Sequence, residues 1–320
     1  MSTSAPPALP APSSTSASRR LLAFAQLVRL PNVFTAMADI GLGALATAAL
    51  PQHAATFTLV LLASASLYCA GMVWNDYFDI EQDRRERPFR PLPSGRVSMP
   101  QAIILGSALM LAGIVFAVLA DWGGEGLRLR ATWFAVLLVA AIFLYDGWLK
   151  RTWLGPVGMG TCRFLNVLLA LCVSPEPIAG WGVLLAGVVG VYIIGVTWFA
   201  RTEARESEQS LLGLAAGVMA AACILALGIP PAARSAGYAV MPSPLFPYLL
   251  VALAFYIGAP VARAIARPAP SRVQAAVKRA VLGLVALDAV LATALAGEIG
   301  LLLLLLLVPA MYLGRWLYST

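Results

Sequence analysis

Asn75-Asp76-Tyr77-Phe78-Asp79-Ile80-Glu81-Gln82-Asp83 stands where a long apolar run, residues 57–73, gives way to a strongly basic segment, residues 84–96. On a helix, Asn75, Asp79 and Asp83 recur every four residues and line one face, with Asp76 beside Asp79 at i, i+3. Like charges at that spacing repel unless something positive sits between them. Oxygen-only ligands suit Mg²⁺, which keeps several waters and takes its remaining ligands from substrate phosphates. The stretch therefore reads as a magnesium-diphosphate site. The competing reading is a solvated acidic helix end paired with Arg84, Arg85 and Arg87. Its position at the end of a membrane helix favours the functional reading, because ionisable groups placed there mark sites.

The rest of the composition agrees with a membrane setting. Hydrophobic residues make up 60% of the chain and charged residues 12%, and the mean hydropathy is +0.84. A soluble domain carries about twice that charge. The net charge of +7 does not mark a nucleic-acid face, because the basic residues lie in the loops between apolar segments. Cys69, Cys162, Cys172 and Cys223 are scattered through apolar segments and His53 is the sole histidine, so neither a zinc site nor a disulfide framework is indicated. Nothing resembles a phosphate-binding Gly-rich loop followed by Lys-Ser/Thr, nor a signal peptide.

Residues 1–18 are rich in Ser, Ala and Pro without a charged side chain, which predicts a disordered tail ahead of a single domain, 19–320. Residues 19–30 are amphipathic and basic, consistent with a helix on the inner surface up to the break at Pro31. Spans are predicted over 32–50, 57–79, 101–120, 131–145, 156–173, 180–200, 211–229 and 245–266. Residues 276–317 supply two more, split near Gly297-Glu298. The fold class is all-α, a polytopic membrane protein of nine or ten transmembrane helices around a central cavity, with ten preferred. With the N-terminus, the loops at 80–100, 146–155 and 201–210, the 263–279 region and the C-terminus on one side, that side holds eighteen of the 22 Lys and Arg residues against three opposite. That side is predicted to be cytoplasmic, and both acidic loops lie on it.

The second acidic loop offers Glu203, Glu206 and Glu208, of which Glu203 and Glu206 share a helical face and could hold further metal around one diphosphate. Pairing with Arg201 and Arg205 is the alternative. Diphosphate also needs cations, because the leaving group's charge must be neutralised as it departs. Arg90, Lys150 and Arg151 are the candidates, with Tyr145 as a hydroxyl donor. Arg163 lies inside a span with Asn166 at i+3, and a buried guanidinium requires an acidic group or an anionic substrate. Arg29 and Asn32 bracket Pro31 and are candidates for the same cavity. Asp39 and Asp288 are lone acids within spans, a feature a proton-coupled carrier would also show.

The order Asn75-Asp-x-x-Asp79-x-x-x-Asp83, then Arg90-Pro-Leu-Pro-Ser-Gly-Arg96, then Tyr145-Asp-Gly-Trp-Leu-Lys150 resembles the UbiA superfamily of membrane prenyltransferases. Leu30-Pro-Asn-Val-Phe34 and Met159-Gly-Thr-Cys-Arg-Phe-Leu-Asn166 look more like its EboC-like branch than like the quinone-pathway enzymes. The resemblance covers almost the whole chain after the tail. It implies a helical bundle, normally of nine helices, with a lateral opening to lipid, and Mg²⁺-dependent transfer of a prenyl group from an isoprenyl diphosphate. By motif position it implies that Asn75, Asp79 and Asp83 hold one metal with Asp76 in support, and that Tyr145 and Lys150 contact the diphosphate. The family usually carries aspartates in the second motif, whereas this chain offers only the glutamates, Glu203 and Glu206 being the assigned metal ligands.

The expected activity is therefore intramembrane prenyl transfer to an unidentified acceptor, with Asp76, Asp79, Asp83 and Lys150 as the catalytic group. The expected location is the cell inner membrane, and the expected partners are the two substrates, the bilayer and other proteins of the same pathway. The alternative is a non-catalytic component that binds or transports a prenyl diphosphate, motivated by the altered second motif and by Asp39 and Asp288.

Overall fold

The computed structural model describes residues 17–122, 129–201 and 208–317. Thirteen α-helices follow one another among them: α1 (Ala17–Leu27), α2 (Val33–Ala46), α3 (Ala54–Phe78), α4 (Ile80–Glu86), α5 (Met99–Trp122), α6 (Arg130–Gly147), α7 (Gly155–Leu171), α8 (Gly180–Ala200), α9 (Gln209–Ala226), α10 (Ile229–Ser235), α11 (Phe246–Ala266), α12 (Pro270–Ala296) and α13 (Leu307–Trp316). Tight 3₁₀ turns cover Leu30–Asn32, Leu149–Arg151 and Gly297–Leu306. No strand occurs among the described residues.

Seven helical stretches are long and apolar enough to cross a bilayer, or eight when the bent pair Ser18–Leu27 and Leu30–Ala46 counts as one. This falls short of the nine or ten expected from hydropathy. Two features account for the difference. Gly155–Leu171 is apolar but has fewer than 18 residues, and Pro270–Trp316 is one stretch of 47 residues that the chain doubles back on itself. The fold-back occurs at Gly297, whose φ of 71° is open to glycine, and it brings Gly300 against the backbone of Ala292 and Thr293. Three smaller departures come with it. α1 begins at Ala17, inside the predicted tail; the basic loop contains the helix α4; and α10 extends a span through two prolines.

The helices form two four-membered groups that share α2 and α7. In the first, α2, α3, α6 and α7 surround a cavity; in the second, α2, α7, α8 and α12 fill their centre with side chains. α5 packs along α3, α9 along α8, and α11 along α12. The outer faces carry exposed Leu, Val and Phe, as lipid contact requires. Exposed tryptophans mark both ends of the bundle: Trp122 and Trp133 at the α5–α6 connection, and Trp148, Trp153 and Trp316 at the other end.

Helix contacts in a bilayer rest on small residues that let backbones approach. A Cβ on Gly160 of α7 would lie 2.7 Å from the carbonyl oxygen of Gly190 on α8, whereas one on Gly213 of α9 meets nothing within 4 Å. Gly160→Ala should therefore destabilise the bundle by about 1–3 kcal/mol. Gly213→Ala should leave stability unchanged or slightly raised. Thermal unfolding of both variants in detergent checks the pair, and equal behaviour would contradict the close packing of α7 on α8.

Candidate active site

The acidic stretch does not continue as one helix. α3 ends at Phe78 and α4 begins at Ile80, with Asp79 between them at φ −96° and ψ 6°. The expected single face of Asn75, Asp79 and Asp83 is thus bent at its middle residue. The bend sends each acid to a different cation. Asp76 accepts from Nη2 of Arg29 at 3.0 Å, Asp83 from Nη1 of Arg90 at 2.7 Å, and Lys150 Nζ lies 2.8 Å from Asp79 Oδ1. Arg90 also reaches Asp76 at 3.5 Å. These three cations come from the α1–α2 junction, the proline loop and the turn after α6.

Each cation is placed by local chain geometry. Arg29 adopts the left-handed conformation, φ 48° and ψ 50°, at the break before Pro31. That backbone costs a non-glycine residue about 1–2 kcal/mol and turns its guanidinium onto Asp76 and, at 3.4 Å, Asn75 Oδ1. Arg90 is buried at the start of Arg90-Pro-Leu-Pro-Ser-Gly-Arg96, whose turn is closed by Gly95 at φ 73° and by Ser94 donating to the Arg90 carbonyl. Lys150 belongs to the 3₁₀ turn after α6 and also lies 3.6 Å from Asp146. Its buried ammonium is thus shared between the Asp79 and Asp146 carboxylates.

Asp146 was not singled out from sequence, yet it belongs to this site. Asn75 Nδ2 donates to its Oδ1 at 2.9 Å, and it is 3% exposed beside Tyr145. The available signal was its i, i+4 spacing from Lys150. Asn75, Tyr145 and Asp146 line the polar end of a pocket of about 80 Å³, whose walls are Leu67, Met72, Leu138, Ile142 and Met159.

Not every expected residue joins this cluster. Arg151 is exposed and donates to the carbonyl of Phe78 at 2.8 Å, so it braces the end of α3. Asn32 caps α2, its carbonyl accepting from Thr35, and its side chain is within hydrogen-bonding reach of the Tyr68 hydroxyl. Arg163 and Asn166 lie deeper in the same pocket. Arg163 is held by Asp39 at 3.0 Å and Thr35 at 2.7 Å, and Asn166 donates to Asp39 at 2.7 Å. Glu203 and Glu206 lie outside the described residues. Glu208 is exposed, precedes α9 and accepts from Ser210 at 2.9 Å. Arg201 donates to the carbonyls of Thr152 and Trp153, which ties its loop to the turn bearing Lys150.

The donor set at the mouth is oxygen-only, which suits a hard divalent cation. No three Asp, Glu, His or Cys side chains converge on one point among the described residues. An ion of the Mg²⁺ type needs only one or two carboxylates when phosphate oxygens and water complete its shell, so the residues fit one that arrives with a phosphorylated ligand. Charge points the same way. Four carboxylates (Asp76, Asp79, Asp83 and Asp146) face three cationic side chains (Arg29, Arg90 and Lys150), leaving no positive surplus to attract a polyanion alone.

Residues 34–277 match the model of the UbiA prenyltransferase family, and the chain belongs to that family. Among similar proteins, the digeranylgeranylglyceryl phosphate synthase of Sulfurisphaera tokodaii is 33% identical over 129 residues, 40% of this chain and 44% of that protein. Its namesake from Ignicoccus hospitalis is 31% identical over 192 residues, 59% of this chain and 58% of that protein. The chain thus spans about half the length of these relatives. A solved structure of a digeranylgeranylglyceryl phosphate synthase superposes with a TM-score of 0.64 at 19% identity, covering 87% of this chain and 99% of that one. The apo structure of a UbiA homolog from Aeropyrum pernix K1 gives 0.55 at 18% identity, covering 81% and 96%. Both share the fold.

Burial pushes the Asp83 carboxyl above its ordinary range, although the bond from Arg90 pulls it down. A raised value means that the folded state holds this proton more tightly than the unfolded chain does. The stability this contributes is full below the unfolded pKa and is lost as pH rises through the folded one. Asp83→Asn should remove that component and flatten the fall in melting temperature between acid and neutral pH. An unaltered profile would contradict the shift.

Proposed function

We propose that the protein transfers a prenyl group from an isoprenyl diphosphate to an acceptor inside the membrane, with magnesium. The observation that carries this reading is the four-carboxylate, three-cation cluster that adjoins a mainly apolar pocket through Asn75 and Asp146. Such a cluster suits a polyanionic head that brings divalent cations, and the walls suit the apolar chain attached to it.

In this reading Asn75, Asp79 and Asp83 hold Mg²⁺ together with diphosphate oxygens and water, and Asp76 keeps Arg29 in position. Glu203 and Glu206 are proposed as ligands of further metal. Bound magnesium supplies charge neutralisation for the leaving diphosphate. Lys150, Arg29 and Arg90 face the diphosphate, and Tyr145 donates to it from the pocket wall. The C1–O bond breaks with its electron pair moving to the diphosphate, leaving an allylic cation. The acceptor's nucleophile then bonds to C1 and gives up its proton to the departed diphosphate. The apolar walls keep bulk water from the cation. The excess of basic residues near these loops supports a cytoplasmic site in a cell inner membrane. The names of the relatives make a glyceryl phosphate one acceptor to try.

Detergent-purified protein given labelled geranylgeranyl or farnesyl diphosphate, Mg²⁺ and a membrane-free cell extract should release diphosphate, and a chelator should abolish release. Asp79→Ala and Lys150→Ala should each lower turnover by about 10²–10³-fold while the protein remains folded. Tight binding without release would instead favour the non-catalytic carrier.

A further inference from the structure

The deep end of the cavity carries polar groups for which the diphosphate has no use. Ser64 precedes Asn75 by eleven residues on α3, roughly 16 Å along the axis at 1.5 Å per residue. Ser64, Arg163 and Asn166 line the pocket together, with Tyr68 about one turn nearer Asn75 on α3. An isoprenyl tail offers none of them a hydrogen-bonding partner, and polar side chains facing a membrane cavity mark ligand contacts.

The arrangement also states what kind of group it would take. Arg163 has five N–H donors. Nη1 binds Asp39, Nη2 binds Thr35, and the guanidinium lies 5.5 Å from the centroid of the Tyr68 ring. The remaining donors belong to a side chain that is still 12% exposed in the pocket wall. Asn166 spends both amide protons on Asp39 and the Ala36 carbonyl, while its oxygen accepts from Ser64 at 2.7 Å. Ser64 and Asn166 are thus spent on each other and on α2, and the free capacity is the unused N–H donors of Arg163, which call for oxygen lone pairs. Its charge is already matched. Asp39 is fully buried against Arg163 at 3.0 Å. An anion entering here would meet a guanidinium already paired with a carboxylate.

We propose that Arg163, held in place by Asp39, Thr35 and the Asn166–Ser64 pair, forms a recognition subsite for an uncharged, hydroxyl- or carbonyl-bearing part of the acceptor. The assignment to the acceptor rests on the prenyl-transfer reading. The subsite itself rests on the spent charge and free donors of Arg163. The acceptor then spans the pocket with its polar group at Arg163 and its nucleophile toward Asn75 and Tyr145.

Cys162 lines the same pocket and serves as a reporter that needs no turnover. In a protein with Cys69, Cys172 and Cys223 replaced, alkylation of Cys162 by N-ethylmaleimide is timed in nanodiscs. Three probes of similar size are compared: 4-hydroxybenzyl alcohol, 4-hydroxybenzoate and p-xylene. The neutral alcohol should protect Cys162 and the other two should not. Arg163→Lys keeps a charge for Asp39 but loses the guanidinium fork, and should weaken protection by about tenfold. Ser64→Ala provides a second variant that leaves the ion pair intact, and it should weaken protection in the same direction. Equal or better protection by the benzoate, equal protection by p-xylene, or none by any probe would each overturn the subsite. Diphosphate release is read on the same preparation. Release without selective protection defeats the subsite alone, and selective protection without release defeats the transfer reading while the subsite stands.

Discussion

A carboxylate at the end of a membrane helix needs a cation beside it, and three such pairs close the mouth of this cavity. Asp76 meets Arg29, Asp79 meets Lys150, and Asp83 meets Arg90. The partners lie 47, 7 and 71 positions away for Asp76, Asp83 and Asp79 respectively, and Leu27, Leu92 and Val97 pack with Val73 in an apolar cluster nearby. The pairs therefore fix the α1–α2 break, the proline loop and the turn after α6 around the end of α3. Buried pairs of this kind add little net stability, because desolvation offsets the attraction. Their value lies in holding opposite charges ready for a polyanion and its counter-ions.

The same logic repeats one level deeper. Arg163 is anchored by Asp39 and Thr35 of α2, so α7 and α2 are joined at the centre of the bundle by an ion pair as well as by packing. Removing either partner would strand a buried charge, which is far more costly than replacing both. Asp39 was legible from sequence only as a lone acid, and a proton carrier was one way to explain it. Its bonds to Arg163 and Asn166 give it a structural role that needs no transported proton.

Much of the fold was legible because hydropathy reports each span directly. The predicted span 180–200 coincides with α8, and most other boundaries moved by a few residues. The fold-back at Gly297 was visible from a glycine and a glutamate interrupting an apolar run. The bend at Asp79 was not visible, since the i, i+4 pattern of Asn75, Asp79 and Asp83 suits an unbroken helix. Nor does local sequence show which cation an acid will meet when the partner is dozens of residues distant. The cluster at the mouth was legible as a set of residue types, and its pairing was not. Asp146 escaped notice because its neighbours Tyr145 and Lys150 carried the motif.

The central claim is that this ion-paired mouth receives the diphosphate. A structure of the protein with Mn²⁺ and a non-hydrolysable thiodiphosphate analogue of farnesyl diphosphate tests it most directly. The account predicts metal density at Asp79, phosphate oxygens within reach of Lys150 and Arg29, and the farnesyl chain along Leu138 and Ile142. Phosphate and metal bound elsewhere, with the Asp76, Asp79 and Asp83 pairs unbroken and undisturbed, would contradict it.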